Sequence, residues 1–177
     1  MHEVTKAVHI VMPQDCNGYA KPRLFGGQLM AWIDVVGAVT ARRFAKANVT
    51  TVCVDHLTFL EAAYLNDTVV QEGRVTWSGR TSLEVRVDSF VEHLNGERKL
   101  INRAYMVFVA LDDNDKPIPV PKFTPETLEE QYEFSAALNR QDIRPIFFSS
   151  CACLNRFSNT FSTSTEPPSA TDSAANS

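Results

Sequence analysis

The chain has 177 residues, 44% of them hydrophobic and 21% charged, with a formal net charge of −4. This is the balance of one ordinary globular domain plus an extension, and the absence of a Lys/Arg block argues against nucleic acid as a main partner. No apolar run reaches the ~18 residues needed to cross a bilayer, so no membrane span is expected.

The N-terminal stretch MHEVTKAVHIVMPQD lacks the apolar core and small-residue cleavage site of a secretory signal. Cys16, Cys53, Cys151 and Cys153 form neither a C-x-x-C pair nor a dense disulfide framework. Both features predict a protein of the reducing cytoplasm. Residues 5–12 read as a first strand, closed by Pro13, and residues 15–23 as a polar loop. A helix follows over about 27–47, opening on a glycine pair and turning basic at Arg42, Arg43 and Lys46, an order that suits the helix dipole. It is apolar on almost every side.

From residue 49 to 111 the hydrophobic period changes to two. VTTVCVDHLTFLE is β-branched and aromatic, DTVVQEGRVTWSG is a second strand, and TSLEVRVDSFVEHL alternates, with Leu83, Val85, Val87 and Val91 on one face and Glu84, Arg86, Asp88 and Glu92 on the other. Asn95-Gly96 then marks a hairpin turn. RKLINRAYMVFVALD is apolar enough to be buried on both faces. Thr124-Pro125-Glu126 predicts a helix start, with Leu128, Tyr132 and Ala136 as a weak packing stripe. The Ser/Thr/Pro/Ala-rich end predicts a flexible tail. The expected organisation is a domain over 1–124, an edge helix over 125–144 and a tail over 145–177. One sheet covers a helix that is apolar all round only if it curls around it or a second subunit covers the far side; both are expected.

Asp34 stands in the middle of that apolar helix. A carboxylate there is costly without a partner. Its neighbours at three and four residues are Met30, Ala31, Gly37 and Ala38, and three of these are small enough to leave room for a ligand. Gly37 also points to close approach by something, because glycine in mid-helix costs ~1 kcal/mol. Gly27 lies two turns earlier on the same face, where a helix N-terminal N–H is free to stabilise an oxyanion. An N–H donor and a carboxylate on one face can support attack on a carbonyl carbon. The alternative reading makes Asp34 half of an ion pair with a neighbouring chain's arginine. No G-x-S-x-G elbow is present, and His2, His9, His56 and His93 lie too far apart for a zinc site, so no metal is expected. His56 reads as a hydrogen-bonded sheet histidine.

NGYAKPRLFGGQLMAWID, VDHLTFLEAAYLNDTV, GRTSLEVRV and NRAYMVFVALDDNDKPIPVP, in this order, resemble the hot-dog-fold acyl-CoA thioesterases of the cytosolic acyl-CoA hydrolase type. The resemblance covers roughly residues 5–122. It implies an α+β fold in which a five-stranded antiparallel sheet wraps one long helix, a homodimer with a continuous sheet, and assembly of such dimers into a hexamer. It implies hydrolysis of acyl-CoA to a free acid and CoA with no separate cofactor. Asp34 would activate water, with direct attack on the carbonyl as a variant, Gly27 would supply the oxyanion N–H, and Asn17 of one protomer would face Asp34 of the other. Gly26, Arg80, Thr81, Ser82 and Phe59 would bind substrate, with Met30, Phe59 and Trp32 bearing on acyl-chain length. Between Asn17 and the glycine pair, Ala20, Lys21 and Pro22 look like a short insertion. A non-catalytic acyl-CoA sensor on the same fold, and a dehydratase acting on 3-hydroxyacyl thioesters, are the competing functions.

Overall fold

The structure is a computed structural model and describes residues 3–18 and 20–143. Among the described residues, seven strands and two α-helices follow one another as β1 (Thr5–Ile10), β2 (Cys16–Asn17), β3 (Arg23–Leu24), α1 (Gly26–Ala45), β4 (Asn48–Phe59), β5 (Thr68–Ser78), β6 (Ser82–Glu92), β7 (Arg98–Leu111) and α2 (Leu128–Ile143). One compact unit ends at Arg140 and holds α1 and every strand among the described residues. The expected tail lies outside the described residues.

Five strands form one antiparallel sheet in the order β1-β5-β6-β7-β4, and β2 pairs with β3 in a separate ribbon. The central strands are buried on both faces, as the apolar run of β7 predicts. One face wraps α1, which turns Leu29, Ile33, Val36, Thr40 and Ala41 into the core. Gly37 is explained here: a Cβ at that position would lie 2.9 Å from Phe108 Cζ and 3.4 Å from Met106 Sδ. The close approach is by β7. The far side of α1 is open in the single chain, with Val35 60% and Met30 44% exposed. The helix ends on Lys46 in the left-handed region (φ 56°), after Arg42 and Arg43 in its last turn. Gly96, at φ 83°, makes the β6–β7 hairpin turn.

Three expectations are corrected. The 15–23 segment is not all loop: Cys16↔Leu24 and Asn17↔Arg23 pair as the β2–β3 ribbon, too short a pattern for periodicity to register. The second helix begins at Leu128, not at Thr124. Thr127 and Glu130 form the reciprocal cap, with Glu130 N donating to Thr127 Oγ1 at 3.2 Å and Thr127 N donating to Glu130 Oε2 at 3.1 Å. Its packing stripe also differs, since Leu128 and Tyr132 are exposed. The helix is held instead by Ala137, by Phe134 stacked on Phe123, and by charge.

That charge sits on the polar face of β6. Arg86 donates to Glu133 at 2.6 Å and to Glu129 at 2.9 Å, and pairs with Asp88 at 3.1 Å. Arg140 reaches back from α2 to Glu84 at 2.7 Å and lies 3.8 Å over the Tyr105 ring. Burial acts to lower the Arg86 pKa, but its carboxylate partners outweigh that and hold it above the ordinary arginine value. The alternating charges of β6 are thus covered by α2 rather than turned to water.

Candidate active site

Asp34 lies half-buried on α1, on the side facing β4. Thr51 Oγ1 of β4 donates to Asp34 Oδ1 at 2.7 Å. No salt bridge involves Asp34 among the described residues, so its partner within the chain is a neutral hydroxyl, not a cation. A hydroxyl that donates to the carboxylate fixes its orientation. Thr51 escaped the sequence reading; a threonine in a β-branched strand is unremarkable until the sheet register places it opposite the helix.

The helix N-terminus supplies the second element. Leu29 N donates back to Phe25 O at 3.1 Å, which leaves the N–H groups of Gly26, Gly27 and Gln28 without an intrahelical acceptor. Eight residues separate Gly26 from Asp34, about 12 Å of helix rise. The absence of a side chain at Gly27 matters: a Cβ would meet the Phe25 ring at 2.5 Å. Gly26 lies beside Phe59, whose ring would be 3.5 Å from a Cβ there. Leu24, Gly26, Leu29, Phe59, Leu60 and Ala63 line an open groove of about 320 Å³ next to these N–H groups.

Other candidates lie elsewhere. Asn17 is exposed on the β2–β3 ribbon. Arg80 is exposed in the β5–β6 turn, where Gly79 N donates to Ser82 O. Cross-strand register places Ser82 opposite Val109 and Val109 opposite Thr50, so the turn lies level with the Thr51 end of β4, two strands away. Phe59 lies at the other end of β4. Within one chain, therefore, the fold joins Asp34 to Thr51 and Gly26 to Phe59, while Arg80, Thr81 and Ser82 form a separate group. Trp32 is engaged elsewhere: its ring stacks on His9 at 4.2 Å, on the β1 side of the helix, away from the groove. His56 is hydrogen-bonded as expected, 2.9 Å from Thr58 Oγ1. No described helix is long and apolar enough to cross a membrane.

The sheet and the helix that carry these groups match known enzymes. The thioesterase superfamily model matches residues 22–95. An uncharacterized acyl-CoA thioester hydrolase of Bacillus subtilis, YkhA, is 41% identical over 76% of this chain and 77% of its own. The chain belongs to the thioesterase superfamily, and it is an acyl-CoA thioester hydrolase. A Staphylococcus aureus acyl-CoA hydrolase solved with butyryl coenzyme A, coenzyme A and coenzyme A disulfide superposes with a TM-score of 0.77 at 32% identity, covering 88% of this chain and 95% of that one. An apo-hexameric acyl-CoA thioesterase superposes with a TM-score of 0.75 at 37% identity, covering 80% and 90%.

The S. aureus hydrolase has also been solved as alanine variants at one asparagine, one aspartate and one threonine. Its aspartate and threonine have the same separation, 17 residues, as Asp34 and Thr51. Its asparagine stands two residues nearer the aspartate than Asn17 does to Asp34, one residue fewer than the three-residue insertion read from the sequence.

Proposed function

We infer that Asp34 is the general base of a cofactor-free thioester hydrolysis, with the acyl carbonyl at the N-terminus of α1. The observation that carries this reading is the Thr51–Asp34 hydrogen bond, made on the same helix whose open N-terminal N–H groups lie about 12 Å away along the axis. Thr51 occupies one carboxylate oxygen; the other takes a proton from water. The water oxygen attacks the carbonyl carbon, the Gly27 N–H stabilises the resulting oxyanion, and collapse of the tetrahedral intermediate breaks the C–S bond and expels the CoA thiolate, which takes up the proton that Asp34 held, directly or through water. A thioester suits so spare a site, because sulfur donates weakly into the carbonyl and leaves readily.

The open faces call for a second subunit. β4 is an edge strand, and next to it Met30, Val35, Val54 and Phe59 are exposed. Pairing of two β4 edges extends the sheet across a homodimer and brings Asn17 of the partner subunit toward Asp34, where it orients water or carbonyl. The solved hexameric thioesterases support assembly of such dimers into a hexamer. The acyl chain occupies the groove beside Gly26 and Phe59. The nucleotide of CoA, bound as the S. aureus complexes support, meets Arg80, Thr81 and Ser82. A cytoplasmic location is supported by the likeness to a cytosolic acyl coenzyme A thioester hydrolase of Rattus norvegicus.

The test is thiol release from a panel of acyl-CoAs, followed with a thiol-reactive dye. Asp34→Asn should abolish turnover while CoA binding and assembly persist. Loss of assembly with turnover per assembled protein intact would favour the intersubunit ion pair, and full turnover in the variant would remove Asp34 from the mechanism.

A further inference from the structure

The stretch from Asn17 to Asp34 is two residues longer here than the corresponding asparagine-to-aspartate stretch of the S. aureus hydrolase, and the structure shows how the turn that follows Asn17 is held. The β2–β3 ribbon has just two residue pairs, Cys16↔Leu24 and Asn17↔Arg23, too few to be stable alone. Its turn begins at Gly18, at φ 90°, a backbone conformation that favours glycine. A longer turn has more freedom to lose when it is ordered, and Asn17 stands at its base.

The turn is fastened to the connection between β4 and β5. Leu24 N donates to Ala63 O at 2.8 Å, Leu65 N donates to Pro22 O at 3.2 Å, and Arg23 bridges to Tyr64. At the tip, Lys21 Nζ lies 4.0 Å from the centroid of the Tyr64 ring. Tyr64 is a firm anchor: its N–H donates to Asp67 Oδ2 at 2.7 Å, and its carbonyl accepts from Asp67 N at 3.0 Å. An ammonium over an aromatic face is attracted by the ring quadrupole, and this contact falls at the tip of the turn between Asn17 and α1.

We propose that Lys21 is a positioning residue, which clamps the β2–β3 turn onto Tyr64 and so holds Asn17 in its place for the reaction. The proposal rests on the role given to Asn17 above. Lys21 touches no reacting atom in this scheme; it acts through the turn.

The experiment is a double-mutant cycle on the full chain, reading kcat and KM separately. Lys21→Met should lower kcat about two- to fivefold, the worth of one exposed cation–π contact, with KM unchanged. Tyr64→Leu should do the same, and Lys21→Arg, which keeps a cation over the ring, should restore wild-type kcat. In an Asn17→Ala background, Lys21→Met should have no further effect. An unchanged kcat in Lys21→Met, an equal loss in the Asn17→Ala background, or an Arg variant as impaired as the Met variant each overturns the clamp alone. Full activity in Asn17→Ala overturns the role of Asn17, and the clamp with it.

Discussion

Thr51 on the edge strand β4 and Asp34 on the central helix are joined by a hydrogen bond of 2.7 Å from hydroxyl to carboxylate. The bond crosses from sheet to helix and fixes which carboxylate oxygen faces the strand. Replacing Thr51 with valine keeps the shape and removes the donor. A hydrogen bond to a charged group is worth ~1.5–3 kcal/mol, so kcat for acyl-CoA hydrolysis should fall by about tenfold or more. Thr51→Ser should retain most of the rate. Equal impairment of the serine and valine variants would mean that the methyl group matters, not the hydroxyl.

Gly37 is a packing requirement rather than a ligand-facing gap. A methyl group there would enter the 2.9 Å space before the Phe108 ring, in a core where Phe108 is fully buried. Overpacking costs ~1–3 kcal/mol, against ~1 kcal/mol gained in helix propensity. Gly37→Ala should therefore lower the urea midpoint by the equivalent of about 1 kcal/mol, with kcat per folded molecule nearly unchanged. A stabilised variant would show that β7 yields to the added methyl.

The sequence carried the sheet, the long helix and the carboxylate in it, because each is written in local pattern: alternation in β6, the Asn95-Gly96 turn, an acid where apolar residues surround it. Thr51 was not legible, since its meaning comes from the pairing of β4 with β7 and the lie of α1 across both. The covering of β6 was hidden for a related reason. Alternation places Glu84 and Arg86 on one face of β6 without saying what meets them, and α2, carrying Glu133 and Arg140, turns that face into an interface. Leu128 and Tyr132 misled because apolar spacing was weighed where charge does the packing. The open edge of β4 is likewise absent from local pattern; it follows from the strand order of the sheet.

Arg86 is the center of that interface. Its side chain is 6% exposed and meets Asp88, Glu129 and Glu133. Arg86→Met removes the cation and leaves the carboxylates to repel one another. Breaking a buried pair by deleting one partner costs ~3–5 kcal/mol. The expected result is a fall of this order in unfolding free energy, with proteolysis appearing first in α2. A fall below about 1 kcal/mol would show that water reaches the face and that Ala137 and Phe134 alone hold the helix.

The same network makes stability depend on pH in a direction that can be worked out. The hydrogen bond from Arg86 holds Glu129 below the ordinary glutamate pKa. For Glu72, burial pushes the pKa upward, but Lys6 and Arg74 outweigh it and bring the carboxyl below its ordinary value. In both cases the unfolded chain binds protons at a higher pH, near ~4.3, than the folded protein does. Their stabilisation is thus fully present above that range and is lost as the pH falls through the lower, folded values. Urea unfolding of wild type and Glu129→Gln between about pH 6 and about pH 3 should show the variant less stable at the upper end and the gap closing toward the lower. A gap that stays constant across the range would mean that Glu129 contributes by shape and not by charge.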